Sequence, residues 1–139
     1  MKKEEAIEQG LALVNRSTIA MLGTNGADDY PNIRAMIKME SEGLKRIWFS
    51  TNTSSKKVAQ LKNIPKACVY FVDFDKWMGL MLVGTVNILQ DPESKQRFWR
   101  KGFEKYYSLG VNDPDYSVLR FTGQWGKYYH GLATITFKL

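Results

Sequence analysis

The chain has 139 residues, of which 44% are hydrophobic and 13% aromatic, and a formal net charge of +6. This length predicts one domain over residues 1–139, without separate cofactor and substrate domains. One histidine, His130, and one cysteine, Cys68, exclude metal sites built from several such ligands and any intrachain disulfide. There is no run of about 20 apolar residues and no signal-peptide pattern at the N-terminus. We therefore expect a cytoplasmic protein without a membrane span.

The first elements predict a covering helix and an antiparallel hairpin. Residues 2–14 carry apolar side chains at helical spacing, which predicts an amphipathic helix. Residues 18–24 and 31–38 predict two strands, joined by a turn at Asn25-Gly26. Because side chains alternate along a strand, one face of the second strand carries Ile33, Ala35 and Ile37. The opposite face carries Arg34, Met36 and Lys38.

The middle of the chain predicts further strands and one helix. Residues 44–50 form a strand that runs into a helix, which ends near Asn63 because Pro65 cannot continue it. Residues 67–73 predict a buried strand in which Cys68 serves as core packing. Residues 80–89 predict a longer strand with a bend or bulge at Gly84.

The last third predicts a capped helix and a terminal hairpin. Asp91 is placed as the N-cap of a helix that starts at Pro92. Residues 117–122 and 128–137 predict two strands that turn between Gly123 and Gly126. About seven strands with short turns favour a mainly β fold, a largely antiparallel closed sheet with peripheral helices. No GxGxxG or Walker motif supports a dinucleotide fold or a phosphate loop.

The strand-to-helix stretch from Trp48 to Leu61 carries a candidate phosphate site. A helix start offers unpaired backbone N–H groups and the positive end of the helix dipole. The first residues of this helix bring three hydroxyls, those of Thr53, Ser54 and Ser55, and two cations, Lys56 and Lys57. The alternative is an ordinary capped helix with solvated lysines. Arg34 likewise has an alternative, an ion pair with Glu40 or Glu42.

The same residues carry a resemblance to a known family. Pro31-Asn32-Ile33-Arg34-Ala35-Met36 resembles the Arg-x-Met strand of the pyridoxamine 5'-phosphate oxidase-like FMN-binding split-barrel proteins, of the general stress protein type. Phe49-Ser50-Thr51-Asn52, followed by Ser55-Lys56-Lys57, is similar to their aromatic-x-Thr-Asn and Ser-Arg/Lys-Lys pattern. The resemblance implies an antiparallel six- to seven-stranded split β-barrel. It also implies a homodimer with FMN at the subunit interface.

The resemblance also implies how the cofactor is held. Arg34, Ser55, Lys56 and Lys57 would bind the FMN phosphate. The isoalloxazine and ribityl chain would lie against a second set of residues, namely Ala35, Met36, Ile37, Ser50 and Thr51. Trp125 is a further candidate contact. No side chain is assigned a catalytic or metal-binding role, because the cofactor itself carries the redox chemistry.

Two departures from the family pattern bear on the reaction. The chain has Gly79 where the pyridoxamine phosphate oxidases have a glutamine. It also ends at Leu139 without the Arg- and His-containing segment that grips pyridoxal phosphate in those enzymes. We therefore expect no oxidation of pyridoxamine phosphate itself.

The sequence and the resemblance leave three candidate functions. The first is an FMN-dependent oxidoreductase that passes electrons from NADH or NADPH to a small-molecule acceptor. The second is a flavin-binding, stress-related protein without turnover. The third is a basic single-stranded nucleic-acid-binding barrel, with Tyr70, Phe71 and Trp77 as stacking platforms. The resemblance leaves open the acceptor, the preferred nicotinamide, and whether a deazaflavin or haem replaces FMN.

Overall fold

A computed structural model describes residues 1–139, the whole chain. Its strands are β1 (Ile19–Asn25), β2 (Pro31–Glu42), β3 (Arg46–Asn52), β4 (Lys66–Asp73), β5 (Met78–Leu89), β6 (Tyr116–His130) and β7 (Ala133–Lys138). Its helices are α1 (Lys3–Arg16), α2 (Lys56–Asn63) and α3 (Pro92–Phe98). Two short 3-10 turns, Phe103–Lys105 and Gly110–Asn112, lie between α3 and β6. None of the helices combines the length and the apolar character that a membrane-spanning helix needs.

The strands form a closed antiparallel barrel. They are ordered β3-β2-β1-β4-β5-β6-β7, and β3 also pairs with β6, for example at Phe49 opposite Leu119. That extra pairing closes six strands, while β7 extends the sheet from β6 outside the barrel. All pairings are antiparallel. The predicted mainly β barrel of six to seven strands with peripheral helices is confirmed.

Alternation along β2 determines which side chains enter the barrel. Met36 is buried in the core, whereas Ile33 and Ile37 are exposed on the outer face. Arg34 shares the inner face with Met36 and is partly buried near the end of the barrel. The predicted division of the strand into two faces is therefore confirmed. As a result, a cation points towards the barrel end that α2 covers.

Two clusters of apolar side chains stabilise the fold. The larger fills the barrel, and α1 contributes Leu13 and Val14 to it. The smaller lies outside, between the sheet and the segment from α3 to β6, and consists of Trp48, Phe98, Tyr107, Tyr116 and Val118. The Asp91 side chain accepts a hydrogen bond from the Ser94 amide, so the predicted N-cap of α3 is confirmed. The register of β5 against β6 shifts between Val83 and Gly84, where a bend or bulge was predicted, but the extra residue, Gln124, belongs to β6.

The predicted terminal hairpin is present, but its predicted turn between Gly123 and Gly126 is wrong. β6 runs without interruption through the glycines, and the turn into β7 lies at Gly131-Leu132. Gly123 and Gly126 are paired strand residues, and they are glycines because neighbouring side chains leave no room for a Cβ. A Cβ at Gly126 would lie 2.9 Å from the Phe137 ring, and one at Gly123 would lie 2.6 Å from Leu139. These glycines therefore permit close packing rather than a turn.

The prediction for β4 needs a second correction. The strand is buried on only one face, through Ala67, Val69 and Phe71. Cys68 and Tyr70 lie on the outer face and are partly exposed, so Cys68 is not core packing. Burial of Phe71 also removes it as a stacking platform for nucleic-acid bases. The continuous apolar run concealed this alternation, because the outer face of the sheet is apolar too.

Candidate functional site

The N-terminus of α2 is held against the start of β6. The Thr53 amide donates to the Asp115 carbonyl at 2.7 Å, and the Ser54 amide donates to the Asp115 carboxylate at 2.8 Å. Ser55 is the N-cap, yet its side chain forms no capping hydrogen bond. Its Oγ is buried and has no partner. A buried hydroxyl without a partner costs free energy, so this atom is a candidate group for binding a ligand.

Arg34 reaches the same helix from β2. Its guanidinium donates to Thr24 Oγ1 at 2.7 Å, to the Leu22 carbonyl at 3.1 Å and to Gln60 Oε1 at 3.3 Å. Gln60 belongs to α2, so this bond connects the strand to the helix. No carboxylate pairs with Arg34, whose pKa is lowered by burial.

Lys57 supplies a second cation close to the first. Its ammonium donates to Thr51 Oγ1 at 3.0 Å and forms no ion pair. Burial lowers the pKa of Lys57, and the positive charge of Arg34 lowers it further. Two partly buried cations that repel each other carry a cost in free energy, and an anion bound between or beside them offsets it.

These contacts decide between the alternatives drawn from the sequence. The alternative ion pair of Arg34 with Glu40 or Glu42 is absent, and Glu40 instead pairs with Arg97 at 3.3 Å and lies 3.9 Å from Arg100. Ser55 and Lys57 are partly buried, which does not fit a helix start with solvated side chains. Lys56 is exposed and fits that simpler description. We call Arg34, Ser55 and Lys57 the cation clamp.

The remaining predicted residues do not all lie at one place. Ile37 and Ser50 line a cavity of about 520 Å³ beside β2 and β3, and exposed Ala35 is on the same outer face of β2 as Ile37. Thr51 is buried under Lys57. The Met36 side chain packs in the core, so only its backbone can face a ligand. Trp125 lines a different cavity, which shares no lining residue with the first.

Some residues of the site were not predicted from the sequence. Thr24 and Gln60 hold Arg34 in position, and the two are themselves hydrogen-bonded at 2.6 Å. Gln60 lies three positions after Lys57 and so shares its helix face, a spacing that could have revealed it. Thr24 is brought near only by the pairing of β1 with β2, for which sequence spacing gives no signal.

Comparison with known proteins assigns the fold to a family. The profile described as "Pyridoxamine 5'-phosphate oxidase" matches residues 6–130. A Clostridium acetobutylicum protein related to general stress protein 26 of B. subtilis, of the pyridoxinephosphate oxidase family, is 51% identical. Its TM-score is 0.88, with 99% of this chain and 97% of that chain covered. A search of curated proteins found no match.

More distant structures share the fold alone. General stress protein 26 of Bacillus anthracis is 20% identical, with a TM-score of 0.78 and coverage of 96% of this chain and 98% of that chain. A heme binding protein of Mycobacterium smegmatis is 15% identical, with a TM-score of 0.78 and coverage of 99% and 60%. The profile match and the Clostridium relative, together with the six-stranded barrel, show that the chain belongs to the pyridoxamine 5'-phosphate oxidase family.

Proposed function

We propose that this protein is an FMN-binding flavoprotein whose cation clamp holds the FMN phosphate. The observation that carries the proposal is the pair of partly buried cations, Arg34 and Lys57, without a carboxylate and beside the unpartnered Ser55 hydroxyl. A phosphate monoester has close to two negative charges and three acceptor oxygens, which match two cations, a hydroxyl and the helix N–H groups. Lys56 adds a solvated cation at the rim.

The flavin ring fits the surface that continues from the clamp. Ile37 and Ala35 present apolar side chains on the outer face of β2, and the backbone at Met36 lies between them. Ser50 contributes a hydroxyl from β3, whereas the buried Thr51 side chain lies on the opposite face of that strand, so only its backbone can face the ring. A flat ring system with polar edges binds well to apolar walls that carry a few donors. Members of this family commonly bind flavin, which supports FMN as the phosphate-bearing ligand.

A second copy of the chain completes the proposed site. The outer face of the sheet exposes three large apolar side chains, with Ile19 46%, Ile33 69% and Ile37 65% accessible. Ile19 and Ile37 are cross-strand partners, so the exposed residues form a patch rather than isolated positions. Contiguous apolar patches of this kind mark interaction sites. A homodimer through this face would bury the patch and allow Trp125 of the second copy to contact the flavin.

The proposed reaction is electron transfer from NADH or NADPH through FMN to a small acceptor. FMN supplies the redox chemistry when bound, and the protein binds it, orients it and excludes water. Such a role requires no nucleophile or acid–base pair. We place the protein in the cytoplasm as a single FMN-binding domain over residues 1–139.

Spectroscopy of the purified protein tests the cofactor and the turnover separately. We expect a yellow protein that releases FMN on denaturation, or that takes up FMN added to it. Under anaerobic conditions, NADH or NADPH should bleach the flavin absorbance. Protein that binds FMN without being reduced would favour the alternative of a flavin-binding protein without turnover. A colourless protein that takes up no flavin would contradict the proposal itself.

A charge introduced into the apolar patch tests the proposed dimer. Ile33→Lys places a cation in the apolar patch, so we expect dissociation into monomers and weaker FMN binding, measured by analytical ultracentrifugation and flavin fluorescence. Leu132→Lys is the matched control, since Leu132 is fully exposed at the β6–β7 turn and outside the patch. A dimer that survives Ile33→Lys unchanged would locate the interface elsewhere.

A further inference from the structure

The cavity beside Ile37 and Ser50 has a second wall that FMN binding does not require. Its volume is about 520 Å³, within the range of small-molecule sites. One wall is formed by β2 and β3, and the other by the segment that follows α3. The lining residues from that segment are Arg100, Phe103, Tyr106 and Tyr107. Neither Arg34 nor Lys57 lines this cavity, so it is distinct from the cation clamp.

The aromatic wall is rigid because it belongs to a packed cluster of rings. Phe103 contacts the Trp99 ring edge-on, with centroids 5.5 Å apart. Tyr107 is buried and its centroid lies 5.0 Å from that of Tyr116. A wall whose rings are already fixed loses little conformational entropy when a flat ligand packs against it. Tyr106 is 73% exposed and can cover a bound ring at the cavity mouth.

The polar groups of the cavity select the charge of the ligand. No acidic side chain lines it, whereas Lys38 and Arg100 do. Both cations are already engaged: Lys38 Nζ donates to the Val14 carbonyl, and Arg100 donates to the carbonyls of Arg97 and Trp99. The Lys38 ammonium lies on the α1 side of β2, so the charge at the cavity edge is that of Arg100, and neither cation is a free clamp for a phosphate. Cationic ligands are disfavoured.

Ser50, Tyr106 and Tyr107 bring three hydroxyls to the cavity, and that of Ser50 lies on the strand wall. Ser50 Oγ and Tyr116 Oη are 3.5 Å apart, at the limit of a hydrogen bond. The Ser50 hydroxyl can therefore donate to an acceptor oxygen in the cavity. Five of the eight lining residues are hydrophobic, so the rest of the ligand must be apolar.

We propose that this cavity binds a planar, uncharged aromatic acceptor of the quinone class, packed against Phe103, Tyr106 and Tyr107 with a ring oxygen towards Ser50. The role of this cavity as a substrate site rests on the proposed function. Ile37 and Ser50 belong to both the cavity and the proposed flavin surface, so a ligand in the cavity would lie next to the flavin. The cavity differs from a site for pyridoxamine phosphate, which needs a free cation cluster at the cavity wall.

Equilibrium binding of duroquinone tests the assignment without relying on turnover. Isothermal titration of the FMN-loaded protein should show saturable binding. Tyr106→Ala should weaken duroquinone binding by about three- to tenfold, the usual worth of one aromatic contact, while FMN affinity stays unchanged. Tyr106→Phe, which keeps the ring, should restore binding. Tyr30→Ala is the matched control, because Tyr30 is 71% exposed in the β1–β2 turn and outside the cavity.

Other ligands and the flavin-free protein separate the possible failures. Methyl viologen, a planar dication, and pyridoxamine 5'-phosphate should both bind more weakly than duroquinone. Absence of saturable duroquinone binding, an equal loss in Tyr30→Ala, or tighter binding of pyridoxamine phosphate would overturn the assignment. If the protein loads no FMN but binds duroquinone in a Tyr106-dependent manner, the proposed flavin function fails while the aromatic cavity site stands.

Discussion

Two pairs of cations on this barrel are arranged in opposite ways. Arg97 and Arg100 share one carboxylate, Glu40, and Arg97 also stacks on the Trp48 ring at 5.0 Å. Arg34 and Lys57 share no carboxylate and are held by neutral oxygens of Thr24, Gln60 and Thr51. The first pair is satisfied within the chain. The second is positioned by the chain but not neutralised, which is the arrangement expected of an anion-binding site.

Burial makes this difference energetically meaningful. The exposed pair around Glu40 contributes little to stability, because solvent screens surface ion pairs. The clamp cations are partly desolvated and lie near each other, so each disfavours the charge of the other. Such an arrangement costs free energy in the protein without ligand. We infer that anion binding offsets this cost.

The largest contrast is expected between Arg34→Ala and Arg97→Ala. Removing Arg34 deletes a charge-assisted hydrogen bond to the phosphate, which should weaken FMN binding by about 1.5–3 kcal/mol, roughly 10- to 150-fold. Removing Arg97 deletes an exposed ion pair outside the clamp and should leave FMN affinity within about twofold. Fluorescence titration with FMN measures both. An equal loss of FMN affinity in the two variants would contradict the prediction that only the Arg34 and Lys57 pair binds the phosphate.

A smaller contrast is expected between two helix N-caps. Ser55→Ala removes a hydroxyl that caps nothing, so we expect little change in the free energy of unfolding and a loss of about 1 kcal/mol in FMN binding. Asp91→Ala removes a true cap of α3 and should cost about 0.5–2 kcal/mol of stability while sparing FMN. Denaturant unfolding and FMN titration of both variants give the comparison. Destabilisation by Ser55→Ala with unchanged FMN affinity would assign its hydroxyl to the fold instead.

The smallest expected effect is on pH dependence. The pKa of Lys57 is lowered first by burial and then by Arg34, so the folded state binds this proton less tightly than the unfolded state. The flavin-free protein should therefore gain stability as pH rises through the lowered pKa towards that of an ordinary lysine. FMN affinity should fall over the same alkaline window, because the phosphate requires the charged ammonium.

Lys57→Met provides the control for this prediction. Its flavin-free stability and its FMN affinity should both change less with alkaline pH than those of the wild type, measured by thermal unfolding and by FMN titration from neutral pH upwards. Wild-type protein whose FMN affinity is flat across that range would show that the Lys57 charge does not contact the phosphate.

Local patterns in the sequence predicted most of the fold. The alternation in β2, the Asp91 cap and the irregularity at Gly84 each depend on neighbouring residues, and all three are present in the structure. The turn of the terminal hairpin was misplaced because Gly123 and Gly126 resemble turn residues in sequence. Their role depends on the packing of Phe137 and Leu139 against β6, which becomes visible only when the strands are paired.

The candidate site was predicted in part for the same reason. Ser55 and Lys57 are close in sequence, so a helix start sufficed to place them together. Arg34 lies on another strand, and only the resemblance to a family connected it with them. Its partner Thr24 and the aromatic wall of the cavity were not predicted, because strand pairing and a long connection bring them to the site.

Comparison of FMN with riboflavin tests the central claim most directly, because the two ligands differ only by the phosphate. If the cation clamp binds that phosphate, FMN should bind at least about 100-fold more tightly than riboflavin, since two charge-assisted contacts are lost together. In the Arg34→Ala variant, the ratio of FMN affinity to riboflavin affinity should be smaller than in the wild type. Equal affinity of the wild-type protein for FMN and riboflavin would contradict the assignment of Arg34, Ser55 and Lys57 to the phosphate.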